Sequence, residues 1–230
     1  MFTIKTPFTL KTSKSAVDYT VQTASRPVYI QPLNLYSSPV LTSGNSKLDK
    51  NVLIFDLLAV ETCVNCSSCK SSCYAMKAQR QYVGTYNKRM INTWLAFHAI
   101  DFLENKINEQ LTTSKKPYVR IHSAGDFINQ DYINMWARIV KSNPSKKFYS
   151  YTKVDGIFDF SSLLENSNFN LVRSIVDGKR NYGTLEYITE MAHRYNGHLC
   201  PYGINDKSPV HCGGNCTICM EKSNVFFLQH

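Results

Sequence analysis

Eight cysteines stand in two groups of four, and these groups are the residues of the chain best suited to inorganic chemistry. Thiolates two or three residues apart converge on one small volume, which is the geometry of a metal site. Disulfides between such close neighbours would close small strained loops, so the spacing favours metal binding. The first group is Cys63, Cys66, Cys69 and Cys73, and the second is Cys200, Cys212, Cys216 and Cys219.

The order of the first group favours a 4Fe–4S cluster over a single zinc ion. Its Cys-x2-Cys-x2-Cys-x3-Cys run is also found in bacterial ferredoxins, although Tyr74 follows Cys73 here where those proteins have proline. Zinc ligands more often come as two separated pairs. The second group is a complete four-thiolate set with glycines for tight turns, and it suits either a second 4Fe–4S cluster or zinc. A third interpretation is that cysteines of both groups share one metal site.

The composition is that of a basic chain with enough hydrophobic residues to form a buried core. It has 230 residues, 43% of them hydrophobic, and a formal net charge of +9, which favours anions such as nucleic acid without choosing among them. No stretch approaches the roughly 20 apolar residues of a membrane span, and the N-terminus lacks the apolar core of a signal peptide. We therefore expect a cytoplasmic protein with reduced thiols, no membrane contact, and DNA or RNA as candidate partners.

Apolar runs of strand length alternate with segments of helical periodicity over the body of the chain. The pattern predicts strands at 52–60, 118–127, 147–153, 169–178 and 224–230, and helices at 86–110, 131–142, 159–165 and 183–195. Such alternation indicates parallel βα units in an α/β fold. We predict an irregular N-terminal arm at 1–50, with a few edge strands, packed on a single α/β iron–sulfur domain at 51–230. The C-terminal metal segment of that domain spans 198–222.

Polar residues follow three of the predicted strands. Cys63 comes after the first strand, the turn from His122 to Asp126 after the second, and Lys153 after the third. Because the loops at the carboxyl ends of parallel strands converge, we expect all three at one mouth. Alternation along the second strand predicts that Arg120 and His122 point to the same face.

Three residues near this mouth are candidate catalytic residues: His122, Asp126 and Arg173. The first two flank a glycine turn, although Asp126 also suits the N-cap of the following helix, where Asp131 competes with it. Arg173 lies in an otherwise apolar strand, and a buried arginine needs an anionic partner. We expect it to pair with Asp126 or to hold a carboxylate or phosphate.

Three stretches resemble radical S-adenosylmethionine (SAM) enzymes over roughly residues 52–156. The cysteine loop ending in CYA (73–75) resembles their cluster loop, SAGD (123–126) their glycine-rich turn, and FYSYTK (148–153) their third strand. The resemblance implies a partial (β/α) barrel, a cluster at the mouth, and SAM held by Ser123 and Gly125, with Lys153 beside them.

The cysteine spacing differs from that of radical SAM enzymes. Their loop has Cys-x3-Cys-x2-Cys, which leaves one iron open for SAM. Here Cys66, Cys69 and Cys73 show the reverse spacing, and the usual order occurs in the second group instead. Four ligands from the first group on one cluster would leave no iron open, whereas three would.

A narrower resemblance is to the phage and mobile-element family called gene product 88. It rests on CYA (73–75), RIHSAGDF (120–127), FYSYTK (148–153), LVRSIVDG (171–178) and the C-terminal cysteines, and it implies no particular reaction. The leading hypothesis is therefore an iron–sulfur protein with one or two 4Fe–4S clusters, acting as a redox or radical enzyme on an unknown small molecule with an unknown redox partner. The alternative is a zinc- or cluster-stabilised nucleic-acid-binding protein of a phage or mobile element.

Overall fold

A computed structural model describes residues 17–23, 26–33, 38–65, 70, 73–176, 179–202, 204 and 210–228. Near the N-terminus, β1 (Val17–Thr23) and β2 (Arg26–Leu33) pair as an antiparallel hairpin. Two paired strands of seven and eight residues are more regular than the arm that the sequence predicts. None of the helices in the described part of the chain is both long and apolar enough to cross a bilayer.

A five-stranded sheet forms the centre of the molecule. Its strands, in spatial order, are β3 (Thr42–Ser43), β4 (Val52–Phe55), β5 (Tyr118–Ile121), β6 (Lys147–Thr152) and β7 (Phe169–Arg173). The four strands from β4 to β7 are parallel, whereas β3 runs antiparallel to β4. This confirms the α/β class with parallel βα units. The order is linear, so these described strands do not close into a barrel.

Seven helices connect or follow the described strands. They are α1 (Tyr74–Gln81), α2 (Val83–His98), α3 (Ile100–Thr113), α4 (Gln130–Ser142), α5 (Ser161–Leu164), α6 (Leu185–Arg194) and α7 (Ile218–Glu221). The single helix predicted at 86–110 is wrong, because Ala99 leaves helical geometry with φ −148° and ψ 54° and separates α2 from α3. The strand predicted at 118–127 ends early because His122 takes positive φ.

One face of the sheet is covered by α2 to α5. Alternate strand residues such as Phe55, Ile121 and Phe148 point to this side and join one hydrophobic core with the helices. The amphipathic pattern predicted for α4 is confirmed, since its five apolar positions are fully buried: Tyr132, Met135, Trp136, Ile139 and Val140. The helices therefore bury the apolar residues on only one face of the sheet.

The C-terminal segment covers the opposite face. Val52, Ile54 and Tyr149 alternate with the helix-facing residues and pack with Cys219 and Val225. Four short strands belong to this part of the chain: β8 (Ile175–Val176), β9 (Lys179–Arg180), β10 (Tyr182–Gly183) and β11 (His198–Leu199). The last strand, β12 (Val225–Leu228), lies between β10 and β11 in a small parallel sheet that packs on α6.

Gly213 allows the second cysteine group to lie close to β4. Its φ is +83°, and a Cβ atom there would stand 2.3 Å from Cγ2 of Val52. Gly156 also has positive φ, at +87°, but a Cβ atom there would meet nothing within 4 Å. Both glycines have the left-handed backbone that would strain any other residue, but only Gly213 is also closely packed.

Replacing each glycine by alanine separates these two effects. We expect Gly156→Ala to lower the free energy of unfolding by about 1 kcal/mol through its left-handed backbone alone. Gly213→Ala should lower it by roughly 2 kcal/mol more, because the methyl group overpacks Val52. Urea denaturation of both variants at equal metal content measures the difference, and equal losses would contradict the close contact.

Candidate ligand pocket and cysteine sites

Two adjoining cavities lie at the carboxyl ends of the parallel strands. The larger has a volume of about 930 Å³ and the smaller about 100 Å³. Cys63, Ser123 and Lys153, which follow β4, β5 and β6 respectively, all line the smaller cavity. The expectation that these three loops meet at one mouth is therefore confirmed. Six residues line both cavities: Tyr74, Arg120, Ser123, Tyr151, Lys153 and Ser174.

Asp56 joins the elements around the mouth, although sequence reasoning did not single it out. Its Oδ1 accepts hydrogen bonds from the backbone N–H of Ser123 at 2.7 Å and of Ala124 at 3.0 Å, and its carboxylate also accepts from the Ser123 hydroxyl. Arg89 of α2 pairs with Oδ2 at 3.2 Å and donates to the Ala75 carbonyl of α1 at 2.8 Å. The available clue was that Asp56 is the one charged residue inside the apolar run 52–60.

Asp126 connects the turn after β5 to the end of β6. Its Oδ1 accepts from the Thr152 hydroxyl at 2.8 Å, and its Oδ2 accepts from the Lys153 N–H at 2.9 Å. Burial raises the pKa of this carboxyl, and the hydrogen bonds oppose that rise. The expected capping role is wrong for both Asp126 and Asp131, since the Asn129 side chain caps α4 by accepting from the Tyr132 N–H.

His122 lies in the helix-side core, and the prediction that it shares a face with Arg120 is wrong. Its φ of +63° turns the ring towards Phe127 and Tyr132, and it is only 2% exposed. Nε2 is 2.8 Å from the Tyr132 hydroxyl, whereas the buried Nδ1 has no hydrogen-bond partner within the described structure. Burial lowers the pKa of His122 to about 3, and the Arg120 charge contributes to this shift. A neutral imidazole at neutral pH follows.

Arg120, in contrast, keeps the strand alternation and faces the larger cavity. Its Nε donates to the His122 carbonyl at 3.3 Å, and its guanidinium carbon lies 4.5 Å from the ring centroid of Tyr151. The ring of Tyr149 is 5.9 Å away. Arg120 therefore lies against two tyrosine rings at the floor of the pocket.

Arg173 lies away from this pocket, and its expected pairing with Asp126 is wrong. Its Nε bonds Oδ2 of Asp155 at 2.5 Å, and the two side chains are 39% and 33% exposed. It borders neither cavity. Arg173 therefore has an anionic partner, as predicted, but the pair lies at the surface.

Ser123, Gly125 and Lys153, to which the SAM resemblance assigns cofactor contacts, all border the smaller cavity. The Ser123 hydroxyl is engaged with Asp56. Gly125 has φ +84°, and a Cβ atom there would stand 2.6 Å from the Thr62 hydroxyl oxygen, so close packing of two loops explains this glycine. Lys153 borders both cavities, and its side chain makes no ion pair in the described part of the chain.

The four cysteines of the second group border one small cavity of about 10 Å³ against Tyr149: Cys200, Cys212, Cys216 and Cys219. Burial raises the pKa of Cys200 to about 11 and that of Cys219 to about 12. As the side chains stand, no three His, Cys, Asp or Glu residues of the described part are gathered closely enough to hold a metal ion. Cys73 and the four cysteines of the second group are free thiols.

The first group is described at two of its four positions. Cys63 borders the smaller cavity at the mouth, and Cys73 packs on Ala59, Ala75 and Ala124. Cys66 and Cys69 lie outside the described residues. The loop that carries the group thus begins and ends beside the mouth.

Two ion pairs provide a matched test of the Asp56 connection. We expect Asp56→Asn to lower the free energy of unfolding by about 3 kcal/mol, because it leaves the Arg89 guanidinium buried without its counter-charge. Asp155→Asn removes the partner of Arg173 at the surface and should change it by less than about 1 kcal/mol. Urea denaturation measures both, and similar losses in the two variants would argue against a central role for Asp56.

The depressed pKa of His122 predicts a pH dependence. Unfolding releases this imidazole to its ordinary pKa of about 6.5, so the unfolded state takes up a proton below that pH. The stability contributed by the neutral ring is present above pH ~6.5 and is lost as the pH falls towards 3, by up to about 1.4 kcal/mol per pH unit.

The variant His122→Asn tests this dependence, since asparagine tolerates the left-handed backbone and does not titrate. Unfolding free energies at pH 7.5, 6 and 5 should show the wild-type advantage shrinking as the pH falls. Substitution of the exposed His193 should leave the wild-type slope in place. A constant difference between wild type and His122→Asn would contradict the burial.

Comparisons with known proteins support one family. The family model "Gene product 88" matches residues 39–212. A "Gene 88 protein" of Mycobacterium phage L5 is 28% identical in an alignment 128 positions long that covers 47% of this chain and 53% of that protein. The chain therefore spans about half the length of this curated relative. No solved structure matches. Since the family match covers most of the sequence, from before β3 to the second cysteine group, the chain belongs to the gene product 88 family.

Proposed function

We propose that the protein is a metalloprotein in which two cysteine sites flank a ligand pocket at the carboxyl edge of a parallel sheet. The observation that carries the proposal is that all four cysteines of the second group border one cavity. They come from distant positions, since Cys200 follows β11 whereas Cys219 lies in α7. Four thiols around one cavity would form a donor set for a soft metal ion once their side chains turned towards it.

The size of this cavity favours zinc at the second group. A volume of about 10 Å³ admits a single atom, whereas a 4Fe–4S cube needs room for eight atoms. A tetrahedral zinc ion would need the four thiols to turn towards the cavity, and Cys200 and Cys219 are already buried, as in closed structural sites. Bound zinc would hold the C-terminal segment on the sheet.

A 4Fe–4S cluster is proposed at the first group. Its close Cys-x2-Cys-x2-Cys-x3-Cys spacing supports a cluster, and the position of Cys63 at the smaller cavity places the loop beside the pocket. A cluster there would supply electrons to a molecule bound at the mouth. The reaction class that follows is redox or radical chemistry on a small molecule.

A radical-SAM-like partial barrel is the finer form of this proposal. It is supported by four parallel strands in chain order, by helices α2 to α5 on one face, and by a cysteine loop directly after the first parallel strand. In that form Ser123, Gly125 and Lys153 would hold SAM near the cluster, in a single domain over 51–230 with an N-terminal arm at 1–50.

Nucleic-acid binding is a second candidate function, favoured by the net charge of +9 and by the basic lining of the larger cavity. In this case the metal sites would stabilise the fold and carry no chemistry. Affinity for a nucleic-acid strand that falls steeply with salt would support it over the enzyme.

Metal analysis after anaerobic purification tests the leading proposal. We expect about four irons and four sulfides with one zinc per chain. Cys69→Ser should remove the iron and retain the zinc, whereas Cys212→Ser should remove the zinc, retain the iron and lower the stability of the fold.

The two variants serve as controls for each other, because each alters one group only. Zinc without iron in the wild type, or iron retained in Cys69→Ser, would refute the iron–sulfur assignment. About eight irons would refute zinc at the second group, and a chain without either metal would refute the proposal.

A further inference from the structure

The larger cavity combines a ligand-sized volume with a lining that the proposed metal chemistry does not explain. At about 930 Å³ it lies at the upper end of the range for small-molecule sites. It lies between the carboxyl-terminal halves of β4 to β6, the C-terminal segment, and helices α1 and α2. Its wall contains Ile54 of β4, Tyr151 of β6, Cys212 of the C-terminal segment, Tyr74 of α1 and Lys88 of α2. The site is a cleft between packed elements.

The charge of this cavity is strongly one-sided. Its described lining contains five cationic side chains, namely Lys47, Lys88, Arg89, Arg120 and Lys153, but a single acidic one, Asp56. The Asp56 carboxylate is already engaged by Arg89 and by the N–H groups of the loop after β5. The four remaining cations have no acidic counterpart in the described wall, so the cavity favours an anion.

Arg120 occupies the floor of the cleft. Only its Nε is bonded to the backbone, and in the described structure no carboxylate lies within ion-pair distance of its guanidinium. Its guanidinium carbon lies 4.5 Å from the ring centroid of Tyr151, and a guanidinium is a forked donor that matches phosphate oxygens. Lys153 and the buried Ser174 border the same two cavities. The smaller cavity, of about 100 Å³, also borders Asp126, whose carboxylate already accepts hydrogen bonds from Thr152 and from the Lys153 N–H.

The outer wall of the cleft is aromatic. Tyr74 and Tyr82 border it while remaining 63% and 55% exposed, and Tyr202 lies on the same wall with the Lys47 ammonium 4.5 Å from its ring centroid. Exposed tyrosine rings beside lysines are a common platform for a planar base. A cationic floor with an aromatic rim matches a ligand that has a phosphate at one end and a ring at the other.

We propose that this cleft binds a nucleoside phosphate, with the phosphate on Arg120 and Lys153 and the base on the tyrosine rim. The ligand arrives either as a free nucleotide or as the 5′-phosphorylated end of a single strand, since both present the same groups. The inference rests on the cleft alone and does not require a metal at either cysteine group.

Calorimetric titration of the full-length protein, with iron and zinc measured in the same samples, tests the inference. The probes are the four ribonucleoside 5′-monophosphates, dTMP, the corresponding nucleosides, inorganic phosphate and a 5′-phosphorylated strand of ten thymidines. At least one nucleotide should bind roughly tenfold or more tightly than both its nucleoside and inorganic phosphate. A strand that binds more than about tenfold tighter than dTMP identifies the strand end as the source, and comparable affinities identify the free nucleotide.

Arg120→Gln should weaken binding of the preferred probe by roughly tenfold or more while the metal content stays the same. Arg138→Gln is the matched control and should bind as the wild type does, because Arg138 of α4 pairs with Glu104 of α3 and does not line the cleft. If Arg120→Gln does not fold, Lys153→Met decides, because the Lys153 side chain makes no ion pair in the described structure.

Three results would overturn the inference: no binding of any nucleotide or of the strand at millimolar concentration, nucleotides no tighter than phosphate, or unchanged affinity in the deciding variant. Full metal content with any of these results leaves the proposed metal sites standing. Nucleotide binding without iron or zinc refutes the metal proposal and leaves this inference standing.

Discussion

The hydrogen-bonded and ion-paired carboxylate of Asp56 is the group on which the mouth of this molecule depends. Parallel strands end together, but nothing in strand pairing fixes the loops that follow them. Asp56 fixes the loop after β5 through the N–H groups of Ser123 and Ala124, and it fixes α2 through Arg89. Asp126 repeats this arrangement one strand further on, towards Thr152 and Lys153. Two carboxylates thus bind together the ends of three strands, and each is satisfied by donors that accompany its burial.

The alternation of β-strand side chains explains why the chain needs a C-terminal segment at all. Helices cover one face of the sheet, and the other face still carries Val52, Ile54 and Val172. Exposing these apolar side chains to water would cost free energy. The segment after α6 contains little regular structure of its own, as α7 and the neighbouring strands have only two to four residues each. Short elements bury little apolar area, so cross-linking by a metal is a physically sensible way to hold such a cover in place.

Periodicity predicted most of the fold because it reports burial directly. It found the four parallel strands and the buried side of α4, and the position of loops after strands correctly brought Cys63, Ser123 and Lys153 to one mouth. Periodicity does not predict the sign of the backbone angle φ or the hydrogen-bond partners of loop residues. Positive φ at His122 turned its ring towards the helix-side core, although the residue still borders the smaller cavity at the mouth. Asn129 took the cap expected of a nearby aspartate.

Long-range polar pairing was the other feature that the sequence could not supply. The partner of Arg173 is Asp155, eighteen positions earlier in the chain, and the partner of Asp56 is thirty-three positions later. Any of several acidic residues satisfies the rule that a strand arginine needs an anion, so the choice among them depends on three-dimensional proximity. Asp56 itself offered a clue, since a lone charge in an apolar run has to be paired.

The cysteine cavity and the basic cleft share part of their walls, so the proposed metal and the proposed ligand would contact a common wall. Cys200 and Cys212 border both spaces, and Tyr151, against which Arg120 stacks, also interacts with Cys219. A metal that holds these cysteines also holds one wall of the cleft, so a ligand that needs this wall binds more tightly to the metal-loaded chain. Linkage is reciprocal, and the ligand must then raise the affinity for the metal by the same factor. With metal and ligand both bound as proposed, the second cysteine group would act on the cleft through the position of its wall, even as a closed structural site that never touches the ligand.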